Sequence, residues 1–97
     1  MATYVMLANF TEQGIRNIKD SVKRAEAFKE TAKAAGVTVK DLYWTLGQFD
    51  IVATAEAKDE MAITALGLTL AKAGNVRTQT LRAFDAKEMT AVLGKVS

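Results

Sequence analysis

Two apolar runs meet at Gly47-Gln48, with Val37 to Leu46 before the pair and Phe49 to Ala57 after it. Both are rich in β-branched and aromatic residues and have the length of strands, so the chain must double back there as an antiparallel hairpin. No other stretch restricts the fold so tightly. A two-residue loop with glycine first fits a type II′ turn, and such a turn sets the register. Leu46 then pairs with Phe49, Thr45 with Asp50, Trp44 with Ile51 and Tyr43 with Val52. Because side chains alternate across a strand, Leu42, Trp44, Leu46, Phe49, Ile51, Ala53 and Ala55 share one face. Tyr43, Thr45, Asp50, Val52, Thr54 and Glu56 share the other.

The remaining elements build outward from this hairpin. Thr3 to Phe10 is short and apolar at nearly every position, the pattern of a strand buried on both faces. Thr11 is a candidate helix cap. From Ile15 the apolar positions Ile15, Ile18, Val22, Ala25, Phe28 and Ala32 follow helical spacing, and Gly36 supplies a left-handed stop after Ala35. Asp59 and Glu60 place negative charge where a second helix begins. That helix closes at Gly74 and is apolar nearly all round, so burial on more than one side is expected. Gly67 within it is most simply a close-packing site against the sheet. Asn75 to Phe84 reads as a wetter strand, and Asp85 with Glu88 forms a capping-box pattern for a short last helix. The order is β-α-β-β-α-β plus a C-terminal helix. It predicts one α+β domain over residues 1–97, a ferredoxin-like split β-α-β fold on a four-stranded antiparallel sheet with the first and third strands central.

The chain has 97 residues, of which 49% are hydrophobic, and it contains neither cysteine nor histidine. Those two absences rule out disulfides, Cys/His zinc sites, a cysteine nucleophile and a Ser-His-Asp triad. Acid–base work would fall to Asp, Glu, Lys or Tyr, with pKa values tuned by their surroundings. No metal or cofactor is expected. The net charge is only +2. The basic residues of the first helix are interleaved with acids, Asp20 to Arg24 and Glu30 to Lys33 being favourable pairs, so this is a wet helix face. A nucleic-acid footprint needs less compensation and interleaved aromatics. No apolar run reaches the roughly 18 to 20 residues that span a bilayer, and the N-terminus lacks signal-peptide features, so a cytoplasmic location is expected.

Two helices cover one face of a four-stranded sheet. The other face, here half apolar, asks for a cover, and a second copy of the chain is the economical one. A sheet-to-sheet homodimer or higher homo-oligomer would bury Tyr43 and Val52 and enclose polar groups in a small cavity. The alternative is a monomer with a wet outer face.

Three segments in order, "FTEQGIRNIKDS", "LGQFDIVATAEAKDE" and "LAKAGNVRTQTLRAF", make the chain resemble the GYD-domain family of small bacterial and archaeal proteins nearly end to end. The resemblance implies a ferredoxin-like fold of the dimeric α/β-barrel kind and no particular activity. The family's signature tyrosine is replaced here by Phe49, separated from Gly47 by Gln48, so its hydroxyl is missing.

Asp50 is the sharpest candidate for chemistry: it sits beside the turn and faces the expected cavity. Near a turn an aspartate also commonly holds backbone donors. Glu56 is the second candidate base. Tyr43 is the pocket aromatic, whereas Trp44 belongs to the helix side. Asn9 and Arg16 flank the first loop, where an anion could sit near a helix start. Arg77 and Arg82 point to opposite faces, and one could reach Glu56 or Asp50. Three functions remain open. The first is a homo-oligomer binding a small apolar or aromatic ligand in a sheet-lined cavity. The second is a cofactor-free isomerase- or oxygenase-like enzyme with Asp50 or Glu56 as base and an arginine as stabiliser. The third is a structural or interaction module.

Overall fold

A computed structural model describes residues 1–97. Strand β1 spans Ala2–Phe10 and is followed by helix α1 (Glu12–Arg16), a 3-10 turn (Ile18–Asp20) and helix α2 (Ser21–Ala34). Strands β2 (Val37–Trp44) and β3 (Ile51–Ala57), helix α3 (Glu60–Ala73), strand β4 (Val76–Ala83) and helix α4 (Ala86–Leu93) complete the chain. The sheet order is β2-β3-β1-β4, antiparallel throughout, with β1 and β3 in the middle as expected. This α+β arrangement is compatible with a ferredoxin-like fold.

Parity places the core. Tyr4, Met6 and Ala8 of β1 and Ala53, Ala55 and Ala57 of β3 are buried, and all of these but Ala8 pack in one cluster with Val37, Ala32 of α2 and Ile63 and Leu66 of α3. The helices therefore cover one face of the sheet. Burial of β1 on both faces does not hold within one chain, since Val5 and Leu7 of the opposite parity are only half-buried. The core is correspondingly small: 13 of 97 residues are buried, and Leu66 and Val37 are its largest fully buried side chains. The Cα radius of gyration, 14.6 Å, exceeds the roughly 12.5 Å of a close-packed chain this long. One helical layer on an otherwise open sheet leaves much of the chain in solvent.

The hairpin register Trp44–Ile51 and Tyr43–Val52 is observed, but the tight turn is not. Strand pairing stops there, and Thr45 to Asp50 form a wider loop. The Thr45 amide donates to the Asp50 carbonyl at 2.8 Å and the Thr45 hydroxyl to the Phe49 carbonyl at 2.6 Å. The Asp50 amide donates to Ala8 O at 2.9 Å, which holds this end of β3 on β1. Gly47 keeps the positive φ, +108°. Leu46, expected in the core, is fully exposed in the opened loop.

A β-bulge at Lys40 shifts the β2 register between Val39 and Asp41. One extra residue inverts parity, so Val37 and Val39 on one side and Leu42 and Trp44 on the other all face the helices. Lys40 and Asp41 are both left to the outer face, Lys40 Nζ 3.6 Å from Glu56 and Asp41 accepting from the Thr54 hydroxyl at 2.9 Å.

The helix expected from Ile15 is broken at Asn17 into α1, the 3-10 turn and α2. Ile15, Ile18 and Val22 consequently fall out of one stripe and are exposed. The break also removes the Asp20–Arg24 ion pair. Asp20 lies outside the regular helix (φ −92°, ψ 5°), and Arg24 Nη1 turns to the Asn17 carbonyl at 2.6 Å. Glu30 does not pair with Lys33 either. The ion pair on this helix is Glu26–Lys29 at 3.8 Å, and exposed pairs of this kind gain little over hydration. Helix α3 is buried only along Ile63 and Leu66, leaving Met61 and Leu68 exposed, because the sheet contacts one side of it alone.

Gly74 ends α3 at φ +86° as expected. Gly67 is not a close-packing site: a Cβ there would meet only the Thr78 hydroxyl at 3.7 Å. The glycine that is pinned is Gly14. A Cβ there would lie 2.1 Å from Asn75 O, at the place where residues 11–14 are clamped to the α3–β4 turn. Thr11 N donates to Asn75 O at 3.0 Å, the Thr11 hydroxyl to Gly74 O at 2.6 Å, and Gln13 Nε2 to Ala73 O at 3.1 Å. The Asp85–Glu88 capping box is formed. The Asp85 amide and then Arg82, whose guanidinium is 3.1 Å away, hold the Glu88 carboxyl below its ordinary range. Helix α4 presents Met89, Val92 and Leu93 to solvent.

Candidate functional site

The outer face of the sheet is assembled from residues whose parity opposes the core. Reading across from β2 to β4, one row is Tyr43, Val52, Leu7 and Gln79, and the next is Asp41, Thr54, Val5 and Leu81. An apolar stripe therefore crosses all four strands, with Tyr43 62% and Leu81 41% exposed. Charges of both signs border it, Lys40 and Arg77 with Asp41, Asp50 and Glu56, and no helix of the chain covers it.

The sequence candidates fall around this face in different states. Tyr43 stands open on it. Asn9 and Arg77 are cross-strand partners at its β1–β4 end. Glu56 is held by Lys40, so the expected arginine partner is absent, and Arg77 forms no ion pair. Arg82, on the helix side by parity, pairs with Glu88 and stacks 4.5 Å over the Phe84 ring. Arg16 sits in the last turn of α1 and reaches Glu12 at 2.9 Å. Trp44 lies on the helix side, its indole donating to Ser21 Oγ at 2.9 Å.

Asp50 Oδ2 accepts the Phe10 amide at 2.9 Å, which supplies a partner for the last amide of β1. The side chain thus continues the β1–β3 ladder past Ile51. Asp50→Ala is expected to destabilise the fold by about 1 kcal/mol through the orphaned amide, lowering Tm by about 4–8 °C in a thermal melt. An unchanged Tm would show that this hydrogen bond does not anchor the loop.

The chain also contains an apolar cleft, on the opposite side of the sheet from the expected cavity. Helix α2 lies over β2 and α3 over β4, and between them a cleft of about 280 Å³ opens onto Met6, Ala8 and Ala53. Neither Asp50 nor Glu56 lines it. Sequence reading missed it because helix splay leaves no mark on apolar spacing. Arg24, which lines it, was hidden in a segment that reads as wet; the signal was Asn17, which breaks the helix and detaches Arg24 from Asp20.

A family model described as the GYD domain matches residues 4–93. The chain belongs to the GYD-domain family. One relative, from Thermus thermophilus, is named glutamine synthetase and cystathionine beta-lyase binding protein; it is 32% identical over 94 residues, covering 96% of this GYD chain and 99% of the relative. A crystal structure of a protein from the same organism superposes with a TM-score of 0.58 at 25% identity, covering 89% of this chain and 96% of that one. No helix of the GYD protein is long and apolar enough to cross a membrane.

Proposed function

We propose that this GYD protein is an interaction module: two copies pair sheet to sheet, as in a dimeric α/β barrel, and the pair docks on a metabolic enzyme. The observation that carries this reading is the uncovered apolar stripe Tyr43–Val52–Leu7 and Val5–Leu81 across all four strands. Its dimensions suit a dimer. Four strands about 4.8 Å apart and about eight residues long present roughly 500 Å² in projection, and more as accessible surface. A standard interface buries about 800 Å² per partner. The charges of both signs at its border allow a face to meet its own copy with limited net repulsion.

The enzyme partner is inferred from the relative, whose name records binding to glutamine synthetase and to cystathionine beta-lyase. The geometry favours such a role over catalysis, because Asp50 is engaged by a backbone amide and Glu56 by a lysine, and neither stands in the cleft. Surface plasmon resonance with the two purified enzymes from the same source provides the test. Saturable binding to at least one of them is expected. Absence of binding to both, with the dimer intact, overturns the enzyme-docking part of the proposal.

A further inference from the structure

We infer that the cleft between α2 and α3 is a binding site for a small amphiphilic carboxylate, with Arg24 receiving the carboxylate and the apolar walls receiving its chain or ring. The walls are apolar: Met6, Ala8 and Ala53 from the sheet, Phe28 from α2 and Leu70 from α3. Among the residues that line the cleft, Arg24 alone is charged, and no aspartate or glutamate is present. Its Nη1 is engaged by the Asn17 carbonyl, but its Nη2 is buried without any hydrogen-bond partner. Arg24 is in no ion pair.

A buried guanidinium N–H without an acceptor is destabilising, and an anion that the Arg24 head shifts to meet at the cleft wall removes that penalty. Carboxylate suits the guanidinium fork better than a neutral acceptor does. A second donor lies near. Ser21 is one turn before Arg24 on α2 and lines the same cleft. Its Oγ accepts from the Trp44 indole, which leaves its own proton free for the second carboxylate oxygen. The volume, near the lower end of ligand sites of roughly 300–1,000 Å³, limits the occupant to a small molecule. The cleft lies across the sheet from the dimer face, so its occupation and the pairing of copies succeed or fail separately.

Isothermal titration with octanoate and with octanol, on the full chain and on two variants, tests the site. Wild type is expected to bind octanoate at least about ten-fold more tightly than octanol, and Arg24→Gln to lose that preference. Ala53→Leu, which fills the cleft floor and leaves Arg24 in place, is expected to weaken both probes while the circular dichroism stays native. Equal affinity for acid and alcohol, an Ala53→Leu protein that binds like wild type, or no binding of octanoate overturns the inference.

Discussion

Gly14→Ala is expected to lower stability by about 3 kcal/mol and Tm by at least about 10 °C. The new Cβ would stand 2.1 Å from Asn75 O and 3.3 Å from Phe10 Cδ1. The carbonyl cannot retreat freely, since it accepts the Thr11 amide, and Thr11 and Gln13 also bind Gly74 and Ala73. Relief of the clash therefore loosens the clamp between the first turn and the start of β4. Gly67→Ala is the matched control. It sits in a helix interior with room for a methyl group, so it should be neutral or stabilising by about 0.5–1 kcal/mol. Chemical denaturation of both variants checks the contrast, and a Gly14→Ala protein as stable as wild type would show that the clamp yields without loss.

Leu7→Glu is expected to weaken dimerisation at least about 100-fold while leaving the monomer folded. Leu7 is central on the outer face, between Val52 and Gln79 in its row. In a two-fold interface each substitution is present twice, and two buried carboxylates would face each other without partners. In the monomer the same side chain is on the solvent side of the sheet, where substitutions usually change stability by less than about 0.5 kcal/mol. Sedimentation velocity against a thermal melt separates the two effects. Loss of folding together with loss of the dimer would mean that Leu7 serves the core rather than a partner.

Much of the fold was legible because parity and period are strong signals. The order of elements, the central strands, the hairpin pairing Trp44–Ile51 and the caps at Gly74 and Asp85 all follow from spacing and turn chemistry. The misses have physical causes. The bulge at Lys40 is one residue long, and its only trace is the odd separation of Val39 and Leu42, both apolar. The single long helix failed at Asn17, where apolar helical spacing continues but the backbone leaves helical geometry (φ −105°, ψ 26°). The tight turn gives way to a wider loop closed by Thr45, whose amide and hydroxyl bind the Asp50 and Phe49 carbonyls, and the Asp50 side chain serves β1, a tertiary contact 40 residues away that local turn chemistry does not contain.

The candidate site was less legible than the fold. Tyr43, Val52 and Glu56 were placed on the correct face by alternation alone. Arg24 could not be found that way: its value lies in the partner it lacks, and an unpaired group is visible only once every neighbour has been placed. The pinned glycine shows the same limit, since Gly14 and Gly67 differ in what packs against them and not in their local sequence.

The open sheet face is the centre of this account, and the mass of the wild-type chain in solution tests it most directly. Light scattering over a range of concentrations should give twice the 10.5 kDa chain mass, falling toward the single-chain value on dilution. A constant single-chain mass at the highest concentration reached would contradict it, leaving the apolar stripe as a solvated face.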